Sequence, residues 1–349
     1  MADRAATILQ IIPQLDTGGA ELSTIEIAEA VIVAGGRAIV LTEGGRMLER
    51  LKATGADVRI FPAATKNPAK LLANAAAIAR MIEADGIHLV HARSRAPAWS
   101  ALRAARVTKR PFVTTYHGAY NETSAPKRLY NSVMARGDLV IANSGYTRDL
   151  IRSRYGTPDA KIRVIHRGVD GAAFDPEKVS AERVEHLRSA WGVAPGQRVI
   201  LQAARLTNWK GQNVVVEAAR RLHADGRLDG IVALAGDAQG RDAYAEGLRE
   251  AIKAGGLEGR VRLVGHVDDM PAAYLAADAS IVASIEPEAF GRTAVESQAM
   301  GCPVIATRIG APPVGPYMYR LSPTISRGLV RETPSMMPSM MGGNFSGHS

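Results

Sequence analysis

The fold is decided by the stretch Val199-Ile-Leu-Gln-Ala-Ala-Arg-Leu-Thr-Asn-Trp-Lys-Gly211. Its first five residues are mostly apolar and predict a buried strand, a polar loop follows, and a helix is predicted to open at Gly211. Strand, loop and helix alternate in this way along most of the 349 residues. Apolar strands separated by amphipathic helices are typical of parallel sheets that are covered on both faces.

The predicted strands fall into two series. The first comprises Thr7–Pro13, Ala38–Leu41, Val58–Phe61, Ile87–His91, Phe112–Thr115, Leu139–Ala142 and Ile162–Ile165. The second comprises Val199–Ala203, Ile231–Ala235, Val261–Val264, Ser280–Ala283 and Val304–Ala306. Two such series predict an α/β protein with two doubly wound, Rossmann-like domains that face a cleft, residues 1–166 and 167–313, joined near His166–Asp170. Ligands of such sheets bind outside the carboxyl ends of the strands, so the informative residues are expected directly after strands.

The last segment, residues 314–349, breaks this pattern. It is rich in proline, serine, methionine and glycine, and neither strand nor helix periodicity persists in it. We expect it to be largely disordered or poorly packed, which would leave the second domain incomplete.

Composition predicts a cytoplasmic protein with an anionic partner. Hydrophobic residues make up 46% of the chain, but no apolar run approaches the length that spans a bilayer, and the start lacks a signal-peptide core. The single cysteine, Cys302, excludes an internal disulfide and is predicted to be a core residue. A net charge of +9 favours a phosphorylated substrate or peripheral contact with an anionic membrane surface, since no nucleic-acid-binding module is recognisable.

Two glycines separate the first predicted strand from the first predicted helix, in Asp16-Thr-Gly-Gly-Ala-Glu21. Gly18 and Gly19 allow a close approach of the backbone to a ligand, and a helix N-terminus offers N–H groups to a phosphate. The spacing matches neither the dinucleotide-binding fingerprint nor the P-loop, which disfavours both of those functions.

A histidine follows another first-domain strand, in Thr114-Thr-Tyr-His-Gly118. At the carboxyl end of the strand, the imidazole of His117 can hydrogen-bond a sugar hydroxyl or a phosphate, or help to move a proton. His88 and His91 are expected to be structural.

Two cations lie in the loop of the deciding stretch. Arg205 and Lys210 are placed to neutralise a diphosphate and to stabilise it as a leaving group. The alternative is that both are solvated surface charges.

Two carboxylates lie in the segment 284–296, where another strand gives way to a helix near Gly291. Glu288 is predicted to face the cleft beside the helix start, and Glu296 to lie about one and a half turns inside the helix. A carboxylate suits paired ribose hydroxyls, and the N–H groups of Phe290 and Gly291 suit sugar hydroxyls or phosphate. The alternative is that both carboxylates are ordinary solvated charges.

In this order, these motifs resemble those of the retaining GT-B glycosyltransferases of family 4, which carry a Glu-x7-Glu motif. The likeness extends from about Thr7 to Ala311. Beyond the residues already named, it includes Asn143-Ser144, Gly236, the run from Glu288 to Ala306, and a hinge at residues 164–170. In that hinge His166-Arg167 stands where the family often has Pro-Asn.

The resemblance implies that a nucleoside-diphosphate sugar binds mainly to the second domain and an acceptor to the first. It implies catalytic roles for His117, Glu288, Arg205 and Lys210, and substrate binding by Gly18, Gly19, Phe290, Gly291 and Glu296. Of these, Glu296 would bind the donor ribose. The implied reaction transfers a sugar with retention to a saccharide or lipid-linked acceptor, in cell-envelope glycan or glycolipid synthesis. Neither a cofactor nor a bound metal is expected.

Other functions remain open at this point: an inactive GT-B relic that only binds, or a sugar-nucleotide epimerase. A two-carboxylate glycosidase is disfavoured, because phosphate-directed cations have no task in glycoside hydrolysis. The likeness to the family stops at about Pro313, which suggests a truncated or frame-shifted end.

Overall fold

The computed structural model describes residues 5–16, 18–310 and 318–321. Its strands form two separate sheets, and the strand pairings within each sheet are parallel. The predicted α/β class with two parallel sheets is therefore confirmed.

The first sheet contains seven strands in the order β3-β2-β1-β4-β5-β6-β7. Their bounds are β1 Thr7–Ile11, β2 Arg37–Thr42, β3 Asp57–Ile60, β4 Leu89–Ala92, β5 Phe112–Tyr116, β6 Leu139–Ala142 and β7 Ile162–Val164. The order reverses between β1 and β4, which is where open α/β sheets bind their ligands.

Helices cover both faces of this sheet. Their bounds are α1 Gly19–Val33, α2 Leu48–Lys52, α3 Pro68–Ala84, α4 Arg95–Val107, α5 Ala125–Asn131 and α6 Gly145–Tyr155. Side chains alternate along β2, so that Ile39 and Leu41 pack in one core and Ala38 and Val40 in another. This period of two over a fully buried strand explains why the strands read as continuous apolar runs.

The second sheet contains six strands in the order β10-β9-β8-β11-β12-β13. Their bounds are β8 Arg198–Ala203, β9 Gly230–Ala235, β10 Val261–Gly265, β11 Ala279–Val282, β12 Val304–Thr307 and β13 Met318–Leu321. The helices of this half are α7 Ala181–Ala190, α8 Gln212–Ala224, α9 Asp242–Ala254, α10 Met270–Ala276 and α11 Arg292–Ala299. Here the strand order reverses between β8 and β11.

The strand β13 lies within the segment that was expected to lack regular structure. It pairs with β12 in parallel register from Val304↔Met318 to Thr307↔Leu321, so the structure differs from the prediction for these four residues. An added strand satisfies the backbone N–H and C=O groups that an edge strand would leave unpaired. The remaining residues of 314–349, and with them the predicted incompleteness of the second domain, lie outside the described residues.

Candidate active site

The carboxyl ends of the two sheets face each other. The Nη1 atom of Arg46, which follows β2, lies 2.9 Å from Oδ2 of Asp237, which follows β9. The hydroxyl of Ser144, which follows β6, donates to the carbonyl oxygen of Ala289 at 2.6 Å. Loops that follow strands of both halves therefore line one cleft, as expected from the sequence.

Lys210 and Glu288 form an ion pair on the second-domain wall of this cleft. Nζ of Lys210 lies 2.5 Å from Oε1 of Glu288, and the Ser284 hydroxyl donates to the same oxygen at 2.5 Å. The ammonium also lies 4.2 Å from the centre of the Trp209 ring. Both charged side chains are largely buried, so neither is the solvated surface charge of the alternative interpretation.

Two glycines let the loops around this pair pack closely: Gly211 lies against Ala283 at the start of the Glu288 loop, and Gly310, after β12, lies against Glu288 itself. Gly211 has a φ of 73°, and a Cβ there would lie 2.0 Å from the carbonyl oxygen of Ala283. Gly310 has a φ of 85°, and a Cβ there would lie 2.3 Å from the carbonyl oxygen of Glu288. Only glycine fits both the left-handed conformation and the space at these positions.

Arg205 precedes Lys210 on the same loop. Its side chain is half-buried and has no carboxylate within ion-pair distance among the residues that the structure describes. Its carbonyl oxygen accepts a hydrogen bond from Nε2 of Gln212 at 2.9 Å. Because Gln212 is the first residue of α8, this bond fixes the loop to the helix, which starts one residue later than predicted.

Glu296 lies inside α11 and is 8% exposed. Its Oε1 lies 3.3 Å from Nε of Arg292 one turn earlier, and its Oε2 accepts from the Tyr274 hydroxyl at 3.4 Å. Burial raises the pKa of the Glu296 carboxyl above its usual value, although Arg292 and the Tyr274 hydroxyl act in the opposite direction. A buried carboxylate held in this way is a strong acceptor for hydroxyl groups and is not a solvated charge.

Phe290 and Gly291 form the turn that starts α11. Gly291 has a φ of 86° and occupies the N-cap position of the helix. Phe290 is buried, and its ring stacks on His166 of the hinge with 6.4 Å between the ring centres. The predicted start of this helix is therefore correct to one residue, and its N-terminus lies against the hinge.

On the first-domain side, Gly18 and Gly19 lie at the start of α1. Gly18 is the N-cap residue, and a Cβ there would lie 2.5 Å from Oε2 of Glu21. The carbonyl oxygen of Gly19 accepts a hydrogen bond from Nη1 of Arg167. The glycine pair is thus tied to the hinge between the two halves.

His117 directly follows β5. Its Nδ1 is bonded by Nη2 of Arg167, and its Nε2 is buried without a partner among the described residues. Burial, together with the charges of Arg93 and Arg167 and the nearby His91, holds the pKa of His117 well below its usual range. The imidazole is therefore neutral near pH 7.

Arg93, which directly follows β4, is a buried residue of the cleft that sequence reasoning missed. It is 3% exposed, and its guanidinium contacts Ser23, Thr115 and His91. Burial, assisted by the charge of Arg167, lowers its pKa to about 9. Its position directly after a strand was the signal that should have singled it out.

Ser144 is a second residue whose role the sequence did not reveal. Its hydroxyl accepts from the Thr147 N–H at 3.1 Å, which caps α6, while it donates to Ala289. The Thr147 hydroxyl lies 3.3 Å from the same carbonyl oxygen and donates to Asn143 at 2.7 Å. These buried contacts join the first domain to the residue between Glu288 and Phe290.

Three residues that were expected to be structural are held in internal contacts. His88 accepts from the Thr7 N–H at 3.0 Å, His91 is buried against Thr115, and Cys302 is 3% exposed in the second-domain core. Within residues 5–16, 18–310 and 318–321, no three His, Cys, Asp or Glu side chains are grouped to hold a metal ion. None of the helices in this part of the chain combines the length and the apolar character that a membrane span requires.

Comparison with known proteins identifies the family. The sequence matches the profile of Glycosyltransferase Family 4 over residues 17–172 and that of Glycosyl transferases group 1 over residues 184–314. A solved glycosyltransferase from Rickettsia africae is 35% identical and superposes with a TM-score of 0.82, covering 92% of this chain and 85% of that one. The chain belongs to the family 4 glycosyltransferases of GT-B fold.

Two further relatives are less similar to the chain. Anabaena HepE, solved in complex with UDP-glucose, is 27% identical with a TM-score of 0.75, covering 87% of this chain and 81% of that one. The D-inositol 3-phosphate glycosyltransferase of Corynebacterium diphtheriae is 30% identical over 201 residues, which are 56% of this chain. The match covers 46% of that relative, so the chain spans about half the length of the curated relatives it matches.

Proposed function

We propose that the chain transfers a sugar from a nucleoside-diphosphate sugar to an acceptor hydroxyl, with retention of the anomeric configuration. The observation that supports this most is the buried Lys210–Glu288 pair beside the N-terminus of α11. A cation, a carboxylate and free helix N–H groups are the partners that a diphosphate and its attached sugar require.

The diphosphate binds between Lys210 and Arg205. It takes the Lys210 ammonium from Glu288, which frees the carboxylate to accept hydrogen bonds from hydroxyls of the transferred sugar. Negative charge grows on the diphosphate as the sugar bond breaks, and two cations held in a cleft stabilise that charge without reorganising. In this proposal the cations take the place of a bound metal, and no cofactor is needed.

The rest of the donor is held by the N-terminus and the interior of α11 and by residues across the cleft. Glu296 accepts from the ribose hydroxyls, and the N–H groups of Phe290 and Gly291 bind the sugar and the adjacent phosphate. Gly18 and Gly19 approach the diphosphate from the first domain, and His117 contacts the sugar. Attack from the face that the diphosphate leaves gives retention.

UDP-glucose is the first donor to test, because the similar Anabaena HepE binds it. The acceptor is a saccharide or a lipid-linked saccharide bound on the first-domain side, in cell-envelope synthesis. Relatives named D-inositol 3-phosphate glycosyltransferases make phosphorylated polyols the first soluble acceptors to test. We propose a cytoplasmic location, and the net charge of +9 supports peripheral contact with an anionic membrane surface.

Proton NMR of the donor during incubation tests the proposal. A glycosyltransferase releases the nucleoside diphosphate and, with water as a slow acceptor, the free sugar in the anomeric configuration of the donor. Release of the opposite anomer contradicts retention. An isomerised donor identifies an epimerase, and binding of the nucleoside diphosphate without any turnover identifies a relic that only binds.

A further inference from the structure

Arg167 is the one hinge residue that reaches both ligand-facing features of the first domain within the described part of the chain. Its Nη2 contacts Nδ1 of His117, and its Nη1 donates to the carbonyl oxygen of Gly19. It lies in the connection after β7 and occupies the position where the family often has asparagine. The proposed function gives Arg167 no role.

The contact fixes which nitrogen of His117 carries the proton. A guanidinium has five N–H donors and no acceptor, so Nδ1 of His117 must accept with its lone pair. The ring then carries its proton on Nε2 when neutral. Because Nε2 is buried with no acceptor among the described residues, this N–H lacks the partner that buried donors normally have.

The surroundings keep the ring from taking a second proton. Arg93 and Arg167 lie near it as cations, and the His91 imidazole also lies nearby. The Tyr120 hydroxyl shares this environment, and burial keeps Tyr120 neutral by raising its pKa. A second proton on His117 would displace the lone pair that accepts from Arg167 and would add a third positive charge.

We propose that Arg167 is a positioning residue, which holds His117 as a neutral Nε2–H donor aimed at an oxygen atom of the donor substrate. This rests on the proposed function and narrows it: His117 binds a hydroxyl or phosphoryl oxygen and does not act as a base. The sequence alone leaves a role in proton transfer open for His117, and in this proposal the hydrogen-bond pattern excludes that role.

The Arg167 guanidinium also links the Nε2–H group of His117 to the arrangement of the two domains. Arg167 leaves the hinge, and its two contacts lie after β1 and after β5 in the first domain. In the hinge, Gly168 also accepts from Arg292 at the start of α11, at 3.3 Å. A movement of the hinge therefore alters the contacts of His117 and of the α11 N-terminus together.

Long-range proton–nitrogen NMR on the full chain with ¹⁵N-labelled histidine tests the proposal directly. The sequence has eight histidines, and His117→Gln identifies the signal by removing it. We expect a protonated Nε2 and a bare Nδ1 that do not titrate between pH 5.5 and 8. A proton on Nδ1, or an imidazolium forming near the usual pKa of about 6.5, overturns the proposal.

Two substitutions add a functional readout. Arg167→Met keeps the length of the side chain but removes the donor, whereas Arg167→Lys keeps a cationic donor. We expect the Met variant to show mixed tautomers and about a 10- to 100-fold lower kcat/KM for donor hydrolysis, mainly through KM. The Lys variant should recover most of the Nε2–H tautomer and most of the kcat/KM for donor hydrolysis.

The control is Arg227→Met, an exposed arginine before β9 without a side-chain partner among the described residues. It should leave the His117 spectrum and the hydrolysis rate unchanged. An unchanged His117 spectrum in Arg167→Met overturns the proposal. The tautomer is read without turnover, so absence of any transferase activity would count against the proposed function alone.

Discussion

The ammonium of Lys210 lies 2.5 Å from the carboxylate of Glu288, although the two residues are 78 positions apart in the sequence. Each follows a strand that borders the point where the order of the second sheet reverses. The topology of a doubly wound sheet brings these two loops together, and Gly211 lets them touch at Ala283. The two groups that we propose for the diphosphate and the sugar thus neutralise each other in the free protein.

Breaking this pair from one side should destabilise the protein. Lys210→Met leaves Glu288 buried without a counter-charge, and we expect the free energy of unfolding in urea to fall by about 3 kcal/mol. Adding Glu288→Gln should restore much of that loss. The exposed pair Lys52–Glu49 is the control, and Lys52→Met should change stability by less than about 1 kcal/mol. Strictly additive effects of the two cleft substitutions would contradict the pairing.

Glu296→Gln should stabilise the free protein at neutral pH. The folded-state pKa of Glu296 lies above its unfolded value, so the folded protein binds this proton more tightly. Protonated Glu296 stabilises the folded protein fully below the pKa that this carboxyl has in the unfolded chain. This stabilisation is lost as pH rises through its pKa in the folded protein. We therefore expect Gln to raise Tm at pH 7 to 8, with the gain vanishing below about pH 4.5.

Thermal unfolding of wild type, Glu296→Gln and Glu250→Gln across this pH range checks the expectation. Glu250 is an exposed residue of α9 and serves as the matched control. A Tm gain in Glu296→Gln that is the same at every pH would count against the buried ionised carboxylate.

Ser144→Ala should impair donor binding more than it impairs stability. It removes both the cap of α6 and the bond to Ala289, so we expect a stability loss of about 1 kcal/mol and a several-fold higher KM for donor. Ser180→Ala removes the cap of α7, a helix that packs against α10, and its hydroxyl bonds only within that turn among the described residues. If Ser180→Ala raised the donor KM equally, the contact with Ala289 would have no special role.

Gly211→Ala should lower the free energy of unfolding more than the same substitution at an ordinary left-handed glycine. At Gly226 (φ +65°) a Cβ meets nothing within 4 Å, so alanine there bears only the backbone cost of about 1–2 kcal/mol. At Gly211 the clash with Ala283 is added, and we expect a loss of roughly 3 kcal/mol or more. Urea unfolding of both variants measures the difference, and equal losses would mean that the two loops are not in close contact.

Much of the fold was predictable from the sequence because buried parallel strands appear as continuous apolar runs. The prediction for Val199–Ala203 is correct to within one residue, since both faces of such a strand are largely covered and its residues are mostly apolar. The strand β13 was missed, because Met318–Leu321 is surrounded by proline and serine and carries no periodic pattern. Pairing with an existing edge strand, a tertiary effect, decides its conformation.

The candidate site was predicted as a set of residues but not as a set of contacts. Position after a strand singled out Lys210, Glu288 and His117, yet nothing in the sequence shows that Glu288 pairs with Lys210. Arg93 and Ser144 also follow strands. Nothing in the sequence shows that Arg93 is buried in the cleft, and Ser144 enters only through the family resemblance, without a role.

Calorimetric titration with UDP tests the central claim that this cleft binds the diphosphate of a donor. Wild-type protein should bind UDP, and the double variant Lys210→Met, Glu288→Gln, which replaces the ion pair by two neutral side chains, should bind it at least about 10-fold more weakly. Equal affinity of the two proteins for UDP, or no binding of UDP, ADP or GDP by wild type, would contradict the account.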